Sequence, residues 1–392
     1  MEWTPTRIRL FRDTGLCLSQ PQFAKKLGFA SRTIGNAERG AHPPSLAVRR
    51  ALDQALEQAS EIQSNRFLSA LAALPETGAT QDPKTRHMVS LPLTNARQLT
   101  ASLDDIAQRY ETLPAASLLA EAGQCHASIG LLLGHAPSES PRQELHTVAA
   151  AAAILMSQLV WDVSQRRDYD TTVAYCDEAI EHIRESGDTV AIAHAELRKG
   201  FAVLYGRAEA HNPRRGLDFT QAAAEYSRGV SDALYGLSLL HVGEAYAMLG
   251  EHRLCERAIS AAEKAFTQIS DDDPGASFYS PTQLGRLAGS CYLFLGHPEL
   301  AEPLLDATAK DLHAQPKTRS LVLGNLALAQ LRQRHLEAAA ATLEEAIDLL
   351  ESTRGGGGFS VVFGAVRELY PWRHEQIVHD VQDRLLTLVA RT

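Results

Sequence analysis

At 392 residues, 45% of them hydrophobic and 22% charged, the chain has room for a small domain and one or two larger ones, with a composition ordinary for a soluble globular protein. The formal charge of −9 is uneven: residues 1–60 carry nine Lys/Arg against five Asp/Glu, a net of +4, which leaves −13 for the remainder. A basic head on an acidic body fits a protein that touches a polyanion with one end and excludes the body from that contact.

The first informative elements lie within Leu18–Gly40, which reads as a helix, a tight turn and a second helix. Ser19 can cap the first helix, and Pro21 fits its first turn, where a missing N–H costs nothing. Phe23, Ala24 and Leu27 form an inward stripe at helical spacing, Gly28 supplies the reversal, and Ser31 caps the second helix. At about 100° per residue, Ser31, Arg32, Gly35 and Asn36 share one side of that helix, and Ile34, Ala37 and Glu38 share the other. The outer side offers a guanidinium and a carboxamide. Those groups read guanine and adenine edges through paired hydrogen bonds, each worth about 1–3 kcal/mol of discrimination.

The Leu-Ser-Gln start, Ala-Lys-Lys-Leu-Gly, Ser-Arg-Thr-Ile and Glu-Arg-Gly resemble the XRE-type, phage-repressor-like helix-turn-helix, over about residues 6–58. The resemblance implies that Gln20 touches the DNA backbone at the start of the first helix. It further implies that Ser31, Arg32, Thr33 and Asn36 face DNA, that Arg39 reaches phosphate, and that Glu38 pairs inwardly with Arg12. The chain departs from that pattern at Ala37, where a large apolar or aromatic residue is usual. Gly35 within the reading helix costs about 1 kcal/mol of helix propensity, and Cys17 and Leu18 lengthen the first loop.

Five widely spaced cysteines (Cys17, Cys125, Cys176, Cys255 and Cys291) contain no Cys-x-x-Cys and argue for free thiols in a reducing cytosol. Glu2 and Arg7 stand where a secretory leader needs basic and then apolar residues, and the apolar run Val148–Met156 is too short to span a bilayer. A cytoplasmic location with no membrane contact is expected.

Helical patterning continues to about Ala73, after which Pro75 to Pro83 reads as a polar linker. From about residue 95 the pattern is helical almost throughout. Gly243, Tyr246, Gly250, Cys255 and Ile259 recur 46 residues later as Gly289, Tyr292, Gly296, Ala301 and Leu305, and 38 residues further on as Ala327, Gln330, Arg334, Ala339 and Leu343. Val160, Val163, Arg167, Thr172 and Cys176 fit the same frame 83 residues before Gly243, which leaves room for one more helix pair near 191–230. This recurrence resembles tetratricopeptide repeats, which stack helix hairpins into a superhelix. The expected fold class is all-α: a helix-turn-helix domain over 1–73, a linker over 74–94, a tetratricopeptide-like solenoid over 95–354, and a segment over 355–392. In that last segment Gly355–Gly358 form a flexible hinge, and Ile377, Val381, Leu385 and Leu388 make a stripe that caps the solenoid or pairs with a second subunit.

Catalytic signatures are missing. The four glycines lack the Gly-Lys-Ser/Thr of a phosphate loop. His374 and His379 are five apart, about 140° around a helix, so they do not share a face as zinc ligands would. Asp271-Asp272-Asp273-Pro274-Gly275 lacks the alternating ligands and closing Glu of a calcium loop and reads as a solvated turn. No enzyme activity, cofactor or metal is expected.

The inner face of the solenoid is the candidate ligand surface. The repeat frame places Trp161, Ser164, Glu244, Arg286, Phe294 and Asn325 toward it, with Arg198 and Lys199 adding charge. A helix-turn-helix followed by such repeats is similar to the pheromone-receptor regulators of Gram-positive bacteria and to actinobacterial regulators of development. That resemblance implies a homodimer on double-stranded DNA, with a peptide, small molecule or protein in the repeat groove setting dimer geometry. Peptide receptors commonly hold the peptide backbone with inward asparagines, and beyond the linker this chain has only Asn95, Asn212 and Asn325. The alternatives are a DNA-binding protein whose repeats are a scaffold for other proteins, and a helical adaptor that binds no DNA.

Overall fold

The computed structural model describes residues 3–16, 18–40, 44–59, 61–72, 96–135, 139–206 and 211–390. Cys17 and the expected linker over 74–94 lie outside the described residues. The chain is all-α, with two compact units, Met1–Leu93 and Thr94–Thr392.

In the first unit α1 (Pro5–Leu10) opens on a helix-compatible proline, and Thr4 Oγ1 accepts from the Arg7 N–H at 3.3 Å. It runs on through a wider π-turn at Phe11–Gly15. Next come α2 (Gln20–Leu27), α3 (Ser31–Glu38), α4 (Leu46–Glu57) and α5 (Glu61–Ala72). Gly28 ends α2 in the left-handed region at φ 75°, as the sequence requires for the reversal into α3. Ile8, Phe11, Phe23, Ile34, Leu52 and Phe67 are fully buried between these helices. Phe67 of α5 stacks on Trp3 and tilts against Phe11, so the fifth helix closes the core of the first four.

The second unit begins with α6 (Ala96–Arg109) and α7 (Ala115–His135). Five hairpins follow: α8 (Glu139–Val163) with α9 (Tyr169–Ser186), α10 (Thr189–Leu204) with α11 (Pro213–Ser227), and α12 (Asp232–Met248) with α13 (His252–Phe266). They continue with α14 (Thr282–Phe294) and α15 (Pro298–Asp311), and α16 (Pro316–Arg332) and α17 (Leu336–Thr353); the unit then ends with α18 (Gly356–Glu368), packed on α16, and α19 (Gln376–Ala390), packed on α17. The extra pair expected near 191–230 is α10 with α11.

Small residues sit where paired helices cross. At Gly289 a Cβ would lie 2.7 Å from Leu305 Cγ, so only glycine lets α14 approach α15 this closely. Outer helices carry one buried stripe each, as in Cys255, Ala258, Ala262 and Ala265 of α13. Inner helices such as α12 are buried on nearly every side. The inner set α8, α10, α12, α14, α16 and α18 touch in succession, and α18 touches α8 again. The inner helices therefore form a closed ring.

Two expectations change here. Gly355–Gly358 are not a hinge: Gly356–Gly358 are the first turn of α18, which packs on α16 and touches α8, while α19 packs on α17. The glycines serve close packing, since a Cβ at Gly358 would fall 2.8 Å from Leu350 Cδ2 and one at Gly356 would fall 2.4 Å from the Asp162 carbonyl oxygen. Within α19 the capping stripe is Val378, Val381, Leu385 and Leu388, with Ile377 only half-buried. The second change concerns α8. The run Val148–Met156 is part of a 22-residue stretch, Arg142–Val163, that is long and apolar enough to cross a membrane by length and composition, and 72% of its most apolar window is buried inside the fold.

Candidate functional site

Two surfaces carry the residues singled out above. The first is the exposed edge of α3. Its N-cap is Ala30 in extended backbone, and Ser31 is the first helical residue, not the cap, because no side chain closes this end. Ser31, Arg32 and Thr33 are exposed, and Asn36 is half-buried. Asn36 Oδ1 accepts from Arg39 Nη2 at 2.8 Å, which joins the two residues at the helix end. Gly35 is buried, not outward-facing. A Cβ there would sit 3.1 Å from Gln20 Oε1 and 3.3 Å from Arg39 Nη1, so the residue that weakens the helix lets two long side chains cross it.

Beneath this edge lies a polar lock. Glu38 is 4% exposed and accepts from Arg12 Nε at 2.6 Å, the pairing implied by the family resemblance. Gln20 Nε2 donates to the same carboxylate at 2.7 Å. Arg12 Nη1 also reaches the Leu18 carbonyl at 3.0 Å. A buried carboxylate with this many donors is satisfied, so the lock fixes α3 against α1 and α2. Gln20, expected on the DNA backbone, has its amide nitrogen committed to Glu38.

The second surface is a cavity of about 210 Å³ at the centre of the helical ring. Every inner helix contributes: Trp161 and Asp162 from α8, Arg198 and Phe201 from α10, His241 and Glu244 from α12, Arg286, Ser290 and Phe294 from α14, Lys317 and Asn325 from α16, and Val361 from α18. Five of the six residues placed inward by the repeat frame (Trp161, Glu244, Arg286, Phe294 and Asn325) line this one cavity, as does Arg198, expected to add charge. Ser164 and Lys199 do not. The Ser164 hydroxyl accepts from the Asp168 N–H at 3.2 Å in the α8–α9 turn. Lys199 points to the outer layer, where Asp177 and Glu196 hold it at 2.9 Å and 3.2 Å.

The ring closes through helix capping between distant residues. Asp162 Oδ1 accepts from the Gly356 N–H at 2.5 Å, at the positive end of α18. Its other oxygen takes Lys317 Nζ at 3.1 Å, and Lys317 also lies 3.9 Å over the Tyr110 ring. Glu111 accepts from the Thr318 N–H at 3.2 Å and from its hydroxyl at 2.8 Å, at the start of α16. Two carboxylates from the beginning of the unit thus satisfy free N–H groups near its end.

Deep in the cavity His241 and Glu244 are each 2% exposed. Glu244 accepts from the Tyr205 hydroxyl and from His241 Nδ1, the latter at 2.8 Å. Burial pushes the Glu244 carboxyl up, but hydrogen bonding and charge from His241, then the bonds from Tyr205 and Ser290, outweigh it and hold the group below its ordinary value. Burial pulls His241 down despite the Glu244 carboxylate. A neutral imidazole facing an ionised carboxylate carries its proton on Nδ1. That leaves Nε2 as a bare acceptor, and it has no hydrogen-bond partner.

Repeat-frame reasoning did not find Arg166, His241, Tyr205 or Lys317. Tyr205, Arg166 and Lys317 sit at inner-helix ends, where a frame built on mid-helix small residues assigns no facing. His241 lies three residues before Glu244 on the same helix, so helical spacing could have found it. Arg166 reaches the cavity because Gln165 and Arg166 both take left-handed backbone, at φ 50° and 63°. No glycine marks that turn. Asp273, expected in a solvated turn, instead accepts from the Ser231 hydroxyl at 2.6 Å and the Ala233 N–H at 3.0 Å, and so holds the start of α12. The expected surface positions of His374 and His379 are exposed.

No family model matches the chain, and no curated protein matches it. Among solved structures it is similar to the crystal structure of Rap protein complexed with competence and sporulation factor, at 9% sequence identity, covering 76% of this chain and 99% of that one, with a TM-score of 0.42.

Proposed function

We propose that the chain is a cytoplasmic, sequence-specific DNA-binding regulator that acts as a homodimer, with the helical ring sensing a ligand. The observation that carries the proposal is the α3 edge. Ser31, Arg32 and Thr33 stand exposed on a helix whose opposite face is fixed by Glu38, Arg12 and Gln20. A rigid helix with a small polar outer face can enter a major groove, and two such helices in a dimer meet half-sites spaced by about 34 Å or a multiple of it. Arg32 is the base-reading group of this proposal, and Arg39 and Gln20 are phosphate contacts. Gln20 reaches phosphate only through the second N–H of its amide nitrogen or by leaving Glu38, so its contribution is the smallest. Ligand in the ring shifts operator affinity by its differential binding to the two dimer geometries.

The test is a gel-shift series on promoter DNA from its own and adjacent genes. Binding falls steeply with salt. Arg32→Ala flattens the preference between operator and scrambled DNA by about tenfold, the loss of one bidentate base contact. Arg39→Ala weakens all sequences alike. Equal losses on every sequence for both variants would remove base reading from α3, and no retardation at low salt would remove DNA binding altogether.

A further inference from the structure

The central cavity is lined by four cations, Arg166, Arg198, Arg286 and Lys317, against three carboxylates, Glu111, Asp162 and Glu244. Arg166, Arg198 and Arg286 line it, and among the described residues none of the three has a hydrogen bond or ion pair from its side chain to a carboxylate. Arg198 Nε is buried with no partner at all. Two of them lie over ring faces: Arg166 is 5.3 Å from the Tyr205 centroid and Arg198 is 5.4 Å from that of Phe201. The carboxylates of the cavity are engaged elsewhere. Asp162 is bound to Lys317 and the α18 N–H, Glu111 caps α16, and Glu244 is held by Tyr205 and His241. Burial pulls both Arg166 and Arg198 below the ordinary guanidinium range, against the opposing charge of Asp162 on both and of Glu244 on Arg166. Arg166 is in addition delivered by two successive left-handed residues without glycine, a conformation that folding alone does not favour.

Buried cations without hydrogen-bond partners destabilise a fold unless something answers them. We propose that the cavity is a binding site for a compact organic anion, a flat ring bearing a carboxylate or phosphate together with a hydrogen-bond donor. The anionic group sits among Arg166, Arg198 and Arg286. The ring lies against Trp161 and Phe201. The donor meets the bare Nε2 of His241, which is 2% exposed and has no partner. A volume of about 210 Å³ suits a ligand of this size and is short for an extended peptide. This rests on the sensing role proposed above and names the chemistry of its ligand.

The test uses the full chain and three probes: 4-hydroxybenzoate, phenyl phosphate and the neutral 4-hydroxybenzamide. Melting temperature and calorimetry are followed at constant ionic strength in chloride. At least one of the two anions raises the melting temperature saturably, and 4-hydroxybenzamide does not. The carboxylate and phosphate arms show which anionic group the arginines prefer. Arg286→Gln weakens the bound anion about tenfold or more, while Arg215→Gln, on the outer helix α11, leaves it unchanged. Arg198→Met needs no ligand to be informative. In chloride alone it leaves the melting temperature unchanged or raises it, and it abolishes the anion-dependent rise. Equal binding of the neutral amide, tighter binding of a free pentapeptide mixture than of either anion, no saturable response to any probe, or a fall of several degrees for Arg198→Met in chloride would each overturn the proposal. Gel shifts run in parallel without ligand keep the outcomes apart. Lost DNA binding with intact anion binding sinks the regulator, and the reverse sinks only the ligand assignment.

Discussion

In the N-terminal unit one buried carboxylate, Glu38, is met by Arg12 and by Gln20 within hydrogen-bond distance. In the repeat unit three cavity arginines make no hydrogen bond or ion pair to a carboxylate among the described residues, and two of them, Arg166 and Arg198, lie over aromatic faces. The same chemistry is used to opposite ends. A fully answered charge fixes one arrangement of helices, whereas an unanswered one keeps free energy in reserve for a molecule that arrives later. The difference teaches that burial alone does not mark a functional group. The marker is burial combined with missing partners.

The largest effect should come from breaking the answered charge. Arg12→Met leaves Glu38 with only Gln20 and should destabilise the first unit by about 3–5 kcal/mol, read as lost hydrogen-exchange protection over residues 20–38 with the repeat helices unaffected. Loss of protection spread equally over both units would deny that the lock is local. Next is the ring seam. Gly356→Ala pushes a methyl group into the Asp162 carbonyl and should cost about 1–3 kcal/mol, visible as faster exchange at the end of α8 and the start of α18 and as weaker ligand binding in the cavity. Unchanged exchange at both places would mean that the seam contributes nothing.

The smallest effect concerns a surface carboxylate with a structural task. Burial raises the Asp273 carboxyl, but the Ser231 hydroxyl and the N–H groups of Ala233, Gly275 and Asp232 outweigh that and hold it below its ordinary value. A depressed carboxylate contributes stability that is fully present above its unfolded value, near pH 4, and is lost as pH falls through the folded value. Asp273→Asn keeps one acceptor oxygen and loses the other with the charge, so it should cost about 1 kcal/mol at neutral pH and should flatten the acid limb of a stability-against-pH curve. An acid limb identical to that of the parent chain would show that Asp273 does not govern it.

Much of this was legible in the residues. The stripe of Phe23, Ala24 and Leu27 and the reversal at Gly28 follow from local spacing, so their placement could be read one helix at a time. The recurrence of Gly243, Gly289 and Ala327 marks positions where paired helices approach, and from it the inward facing of Trp161, Glu244 and Asn325 could be derived. The four glycines show where such reading stops. Four flexible residues in a row imply a hinge unless it is known that Asp162, Ser320 and Leu350 will crowd against them, and those partners lie up to 194 residues away. Arg166 escaped notice for a related reason, because its direction depends on a left-handed turn that no glycine announces. Contacts set by neighbours in sequence could be anticipated, and contacts set by closure of the ring could not.

That closure has a consequence during synthesis. Asp162 waits for Gly356, 194 residues downstream. At about 5–20 residues per second, a ribosome supplies the missing partner on the order of ten to forty seconds later. Until then the nascent barrel lacks a wall, while the head at residues 3–72 has long since emerged. A premature stop codon before residue 356 would release, on the proposed function, a protein still equipped to occupy its operator and no longer able to answer its signal.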